Sequence, residues 1–333
     1  MTGGVLPRVS FGSWAFAFGP FEREPWSIAR ICEYLEAKGY DGIEVNGFRP
    51  HPHDLDFNSE DTCRVLRDLV AGHGLGVSAY APDLTDVPPT RVEEMDYLRR
   101  IDSARAFCER VGTSILRVDT VVPPRPVRTT PEDPEFQRLA RVWRQAAARC
   151  KRSGITMVWE FEPGFWLNRP REVVGLLEEV AHPNFKVLFD SSHAYTTAVR
   201  CARHGREPEA VPGGVSEYGR LLAPWVGHLH LIDSDGSLHD DDTSTHIPFG
   251  EGNIDFTGLL GSLGGVASGL AWWTVDLCFS PRTEEEGIGA VAFVRNLLAG
   301  VDGLLAGVDG HPLPASGDGE VESKGTLKCE SQR

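Results

Sequence analysis

Acidic and histidine residues close one apolar run after another in this chain. Glu160 ends ITMVWE, Asp190 and His193 end FKVLFDSSH, His230 sits in VGHLHLID, and Asp276 in AWWTVD. A carboxylate in or at the end of a buried strand is costly unless it meets a cation or a donor. Oxygen and nitrogen side chains in this mixture suit a divalent metal, Mn²⁺ first, with Mg²⁺, Co²⁺, Fe²⁺ or Zn²⁺ as the other choices. Glu160, Asp190, His230 and Asp276 are therefore the candidate metal ligands, and a metal held by such a set could activate a sugar.

Each position has a plainer reading. Glu162 follows Glu160 by two residues and is the second choice of ligand; either could be a solvated loop acid. Asp190 could instead cap a helix, although a cap does not call for His193. The two-residue strand period puts His228 and His230 on one side, with His230 nearer the carboxyl end; His228 either supports a ligand or belongs to the core. The base that removes a proton could be Glu160, Asp276, His246 or Asp119. Trp14, Glu44, Tyr80, His193 and Glu251 are the candidate substrate contacts. Trp14, Phe16, Tyr80 and Trp159 could form flat apolar walls or only core.

The elements that must position these residues alternate. Runs rich in β-branched and aromatic residues at 9–14, 42–45, 76–81, 114–119, 155–160, 185–190, 226–232 and 271–277 are separated by amphipathic segments at 26–38, 63–73, 92–111, 134–152, 170–180 and 215–222. That alternation predicts βα units around a parallel sheet, hence an α/β fold, and eight strands argue for a (β/α)8 barrel whose strand-end residues share the carboxyl face. A doubly wound sheet is the rival, but no G-x-G-x-x-G follows the first strand. The barrel is expected over 1–302, after a last helix at 284–298. Residues 303–333, rich in Gly, Asp, Ser and Lys, are expected to form a flexible tail. Two long irregular stretches, 121–133 and 203–214, suit lids or partner surfaces.

Composition narrows the classes. The chain has 333 residues, 41% hydrophobic and 24% charged, with a net charge of −15, which opposes nucleic-acid binding. Seven scattered cysteines form no C-x-x-C pair, so reduced thiols are expected. No apolar run has the length of a membrane span, and the start lacks the pattern of a signal peptide, so a cytoplasmic protein with small-molecule partners is expected.

YDGIE at 40–44, VWEFEPG at 158–164, LFDSSH at 188–193, GHLHLIDSD at 227–235 and THIPFGEGNIDF at 245–256 resemble the xylose isomerase-like TIM barrel superfamily, which holds sugar isomerases and epimerases, inosose dehydratases and the endonuclease IV group. The likeness runs over roughly 8–300 and implies metal-ligand roles for Glu160, Asp190, His230 and Asp276. The last acid is commonly Glu in epimerases; the shorter Asp276 implies a shifted metal or a different substrate fit. WEFEPGFWLNRP, HPNFKVLFD, STHIPFGEG and WWTVDLCF resemble more particularly the catalytic α-subunits of bacterial C-glycoside deglycosidases. That likeness implies cleavage of the sugar C–C bond of 3-oxo-C-glucosides, with a small β-subunit and a homo- or hetero-oligomeric assembly. The alternative is a sugar or sugar-phosphate isomerase or epimerase, or an inosose dehydratase-like enzyme. DNA repair is disfavoured, because Glu44 and Asp119 stand where endonuclease IV needs histidines and a basic surface is absent. A non-catalytic barrel subunit is a further alternative.

Overall fold

All eight apolar runs form strands in a computed structural model of the chain, which describes residues 6–308. In chain order the elements are β1 (Arg8–Gly12), α1 (Ile28–Lys38), β2 (Gly42–Asn46), α2 (Glu60–Gly72), β3 (Gly76–Ala81), α3 (Glu94–Val111), β4 (Ile115–Val118), α4 (Pro134–Lys151), β5 (Thr156–Glu160) and α5 (Pro170–Val180). There follow β6 (Phe185–Asp190), α6 (Ser191–Ala198), α7 (Gly214–Leu222), β7 (Val226–Leu231), α8 (Phe256–Leu263), α9 (Gly265–Gly269), β8 (Trp272–Val275) and α10 (Thr283–Val308). Each strand pairs in parallel with the next, and β1 also pairs with β8, so the sheet closes into a barrel. Closure excludes the doubly wound alternative.

Local chemistry explains the helix starts. Ser27 accepts a hydrogen bond from the Arg30 N–H to open α1, Ser59 and Thr62 form a reciprocal capping pair on α2, and Asp133 accepts from Glu135 and Phe136 N–H ahead of Pro134 in α4. Helix stripes such as Leu139, Val142, Trp143 and Ala146 of α4 bury against the strands. Inside the barrel, Ala79, Ile115, Val158 and Leu188 make an apolar cluster on one side. On the other side the filling is polar: Ser10, Glu44, His228 and Thr274 are fully buried and bonded to one another.

The sequence signal was weakest for α6, α8 and α9. SSHAYTTA in α6 has no apolar stripe because seven of its eight residues, mostly polar, are buried and bonded. The 121–133 and 203–214 stretches pack on one another: Arg206 N–H donates to the Pro126 carbonyl (2.8 Å), and buried Arg169 donates to carbonyls of Arg125, His204 and Glu207. Only Val121 of these two stretches borders the cavity at the strand ends. The final helix continues to Val308, past the expected boundary at 302, and the remainder of the expected tail, 309–333, lies outside the described residues. Among the described residues no helix is long and apolar enough to cross a membrane.

Candidate active site

Register brings the expected ligands together. Asp190 at the end of β6 is the direct neighbour of His230 on β7, Glu160 ends the adjoining β5, and Asp276 follows β8 by one residue. Glu160, Asp190, His230 and Asp276 are all buried, and one ligand atom from each lies within 4.8 Å of the other three.

Proton positions around His230 show what this cluster is suited to hold. Glu44 lies one layer deeper, and its Oε2 accepts from His230 Nε2–H (3.1 Å), His228 Nε2–H (2.8 Å) and Thr274 Oγ1–H (3.0 Å). Burial opposes ionisation of Glu44, but His230 and then His228 outweigh it and hold the carboxyl well below its usual range. With its proton on Nε2, His230 turns the Nδ1 lone pair toward Glu160 Oε1 (3.0 Å) and Asp276 Oδ2 (3.4 Å). Three electron-rich atoms facing one another need a cation between them. Although burial works against it, Glu44 and Glu160 push the imidazole well above its ordinary pKa. Asp190 points the same way. Its Oδ1 accepts from His193 N–H (2.7 Å), capping α6, while Oδ2 is buried without a partner. Capping and ligation are thus both open to this residue, one oxygen each. Burial, then Asp276 and Glu160, raise the Asp190 carboxyl to about 7 against the pull of His246. The residues fit a divalent cation with an oxygen-rich shell and one imidazole, and the Glu44–His230 pair is the carboxylate–histidine support such a ligand needs. Glu44→Gln is expected to weaken metal binding about 10–100-fold without unfolding the protein, as measured by chelator competition; unchanged affinity would remove Glu44 from this role.

Asp276 is held from three sides. Its Oδ1 accepts from Trp14 Nε1–H (2.6 Å), His246 Nδ1–H (3.1 Å) and Cys278 N–H (3.1 Å), leaving Oδ2 for the cluster. Burial raises its pKa, but His246 and His230 overcome this and keep it well below the usual carboxylate range. The indole of Trp14 reaches it by lying over Gly12, where an added Cβ would stand 2.2 Å from the ring. The shorter aspartate arm therefore stays within the ligand set. His246 Nε2 is buried without a partner, and the ring, pushed up to about 9 by Asp276 against its burial, borders the cavity. His193 gives Nδ1–H to Ser244 Oγ (2.8 Å); burial, then His246 and Arg117, lower it to about 3 against Glu160, so it is neutral, with Nε2 4.0 Å from Glu160 Oε1.

Sequence reasoning missed Arg117 of β4. Its Nη2 contacts Glu160 Oε2 (2.6 Å), Glu162 Oε1 (3.0 Å) and Asp119 Oδ2 (3.4 Å). Against the burial that would raise it, Arg117 and then His230 hold Glu160 below its ordinary value. Burial, with Glu160 adding to it, lifts Asp119 to about 6 and Glu162 to about 8 despite Arg117. The signal was present: Arg117 is two residues before Asp119, so the strand period points both to one side.

These groups form the floor of a cavity of about 380 Å³ at the carboxyl face, whose mouth carries Phe18, Phe48, Phe165 and Phe279. Phe279 stacks on His239 (4.1 Å) and Phe18 (6.0 Å). Trp14, Asp119, Glu160, His193, His246 and Asp276 border this cavity as expected from the sequence. Three expected substrate contacts do not. Glu44 is sealed beneath His230. Tyr80 is fully buried, packs on Phe107 (4.4 Å) and bonds Asp54 (2.9 Å). Glu251 turns outward to Arg282 (2.9 Å), because the flanking Gly250 and Gly252 N–H groups are anchored on Asp233. Of the possible walls, Trp159 packs on Trp143 (5.5 Å) and Phe16 on Trp26 (4.4 Å), both in the core.

Comparisons with known proteins agree with this architecture. A sequence model of the family described as Xylose isomerase-like TIM barrel matches residues 32–287. A fructoselysine 3-epimerase of Escherichia coli O157:H7 is 23% identical over 228 residues, 67% of this chain and 75% of that protein. An L-ribulose 3-epimerase structure aligns with a TM-score of 0.67 at 18% identity, covering 93% of this chain and 100% of the other. A D-psicose 3-epimerase from Clostridium cellulolyticum H10 aligns at 0.60 and 14%, covering 87% and 99%. A probable 3-DHS dehydratase from Bacillus anthracis aligns at 0.63 and 16%, covering 86% and 98%.

Proposed function

The chain belongs to the xylose isomerase-like TIM barrel family, and from that membership we propose that it is a sugar epimerase or isomerase whose reaction begins with loss of a proton beside a carbonyl. The observation that carries this reading is the convergence of Glu160, Asp190, His230 and Asp276, with the unpartnered Asp190 Oδ2 and the His230 Nδ1 lone pair facing one point. A divalent metal held there, Mn²⁺ first, would supply stabilisation of negative charge developing on a substrate oxygen. Glu160 is the base: Arg117 holds its Oε2, and Oε1, 3.0 Å from His230 Nδ1, is the oxygen at the cluster that would take up the proton. Asp276 is poorly suited to that step, since three donors occupy its Oδ1. His246, fixed through Nδ1 on Asp276, keeps Nε2 unpartnered in a ring that borders the cavity, and is the group that returns a proton from the other flank. Return to the opposite face of the same carbon gives an epimer; return to the neighbouring carbon gives an isomer.

A second reading is favoured by the aromatic mouth above the charged floor. An aryl group on a 3-oxo-C-glycoside could lie against Phe18, Phe48 and Phe279. Proton removal beside the carbonyl would then place the C–H electron pair in a C=C bond while the C–C pair leaves with the aglycone, which takes a proton. Glu162, raised to about 8 and bordering the cavity, is the proton donor this reading assigns. This reading brings with it a small β-subunit.

Both readings are tested by incubating Mn²⁺-loaded protein in D₂O with free ketoses and with a 3-oxo-C-glucoside. Deuterium in intact sugar supports the first; released aglycone supports the second; neither product at saturating metal contradicts both. Removal of metal by a chelator is expected to stop either reaction, with recovery on adding Mn²⁺ back.

A further inference from the structure

We propose that the site takes an uncharged sugar and rejects substrates bearing phosphate or carboxylate. The inference rests on the sugar reading above for what enters the cavity, and on the charge of the cavity and its surrounding loops for the selection.

Barrel enzymes that bind phosphate commonly do so with backbone N–H groups of the loops after strands 7 and 8 and an adjoining helix N-terminus. In this chain the loop after β7 gathers four such N–H groups, and its own carboxylate fills them. Asp233, two residues past β7 and buried, accepts from four N–H groups: Ser234 (2.9 Å) and Ile254 (3.1 Å) on Oδ1, Gly250 (2.9 Å) and Gly252 (3.1 Å) on Oδ2. The fit is close enough that a Cβ on Gly252 would stand 2.2 Å from Asp233 Oδ1. After β8, the helix that could present its N-terminus is α10, and its first turn carries Glu284, Glu285 and Glu286. Acids there occupy the positive end of the helix dipole and repel an approaching anion. Other helices that open at this face are also self-capped: Asp133, Asp190 and Asp255 accept from first-turn N–H groups of α4, α6 and α8.

The cationic side chains that line the cavity are already engaged, Arg117 by Asp119, Glu160 and Glu162, and His246 by Asp276. A divalent metal at the floor would be balanced by Glu160, Asp190 and Asp276, and the lining adds Glu22, Asp119 and Asp241. Glu22 and Asp241 are exposed at the mouth, so an incoming phosphate ester meets like charge before it meets the floor. The chain's net charge of −15 extends the same field outward. Hydroxyl groups, which both donate and accept, suit this lining; acceptor-only anions do not.

The test compares D-fructose with D-fructose 6-phosphate on the Mn²⁺-loaded full chain, by isothermal titration calorimetry for binding and by deuterium uptake for turnover. D-fructose is expected to bind and exchange at least ~10²-fold better than its phosphate, since like-charge juxtaposition costs several kcal/mol. Equal or better binding of the phosphate overturns the proposal. Loss of exchange with both sugars would strike the proposed reaction instead, while the two binding curves still decide the question of charge. A second measurement needs no substrate. In Asp233→Ala the emptied cradle is expected to bind sulfate, seen as a rise in melting temperature over chloride at equal ionic strength that exceeds the general salting-out rise of wild type. A rise no larger than that of wild type, in a variant that keeps its wild-type circular dichroism, overturns the proposal; if the variant does not fold, the comparison of the two sugars decides.

Discussion

Glu160→Gln is expected to lose bound metal and at least ~10³-fold of its proton-exchange rate while keeping its fold. The amide matches the carboxylate in shape, and Arg117 keeps Asp119 and Glu162 as partners, so no buried cation is stranded. What disappears is negative charge at the two oxygens that matter: Oε1, 3.0 Å from His230 Nδ1, and Oε2, 2.6 Å from Arg117. General-base catalysis alone accounts for about 10²–10⁴ in rate, and loss of a metal ligand adds to it. Elemental analysis and deuterium uptake on the same preparation check both. A variant with full metal content and full exchange would mean that Glu160 is only a partner for Arg117.

The largest expected effect on stability comes from Arg117→Met. Methionine fills much of the volume of the arginine stem, but it leaves Glu160, Glu162 and Asp119 clustered without their guanidinium. Removing one partner of a buried charge group costs about 3–5 kcal/mol, to be measured by urea unfolding at neutral pH. The dependence on pH has a definite sign. Asp119 and Glu162 already have raised pKa values in the fold, about 6 and about 8. Groups raised in the folded state favour folding while protonated and oppose it once ionised. The deficit of the variant should therefore grow as pH climbs through these values and shrink in mild acid. A deficit under 1 kcal/mol, flat with pH, would mean that the three carboxylates find other compensation.

Strand periodicity carried most of the architecture. Short runs such as 76–81 and 185–190 have the β-branched and aromatic content of buried parallel strands, and both appear with those bounds as β3 and β6. The acids and histidine that terminate such runs were legible as a converging set, because a closed parallel barrel brings all strand ends to one face. Layer within the barrel was not legible. Glu44 and Tyr80 look like strand-end candidates in the sequence, yet one lies under His230 and the other turns to Asp54, because register and tilt decide depth. Arg117 in ILRV stands out in the sequence only by its spacing from Asp119; the fold shows three carboxylates around it. The direction of Glu251 was likewise set by Asp233, through backbone bonds reaching up to 21 residues away in sequence. Helix α6 escaped notice for a related reason: a helix buried among polar partners shows no amphipathic period.

Stoichiometric metal content is the measurement closest to the central claim that four strand-end residues form one divalent metal site. Protein stripped with chelator, reloaded with Mn²⁺ and desalted is expected to retain about one metal per chain, and His230→Ala and Asp190→Ala, treated identically and still folded, should retain almost none. Wild-type protein that holds no metal, or ligand variants that hold as much as wild type, would contradict the account.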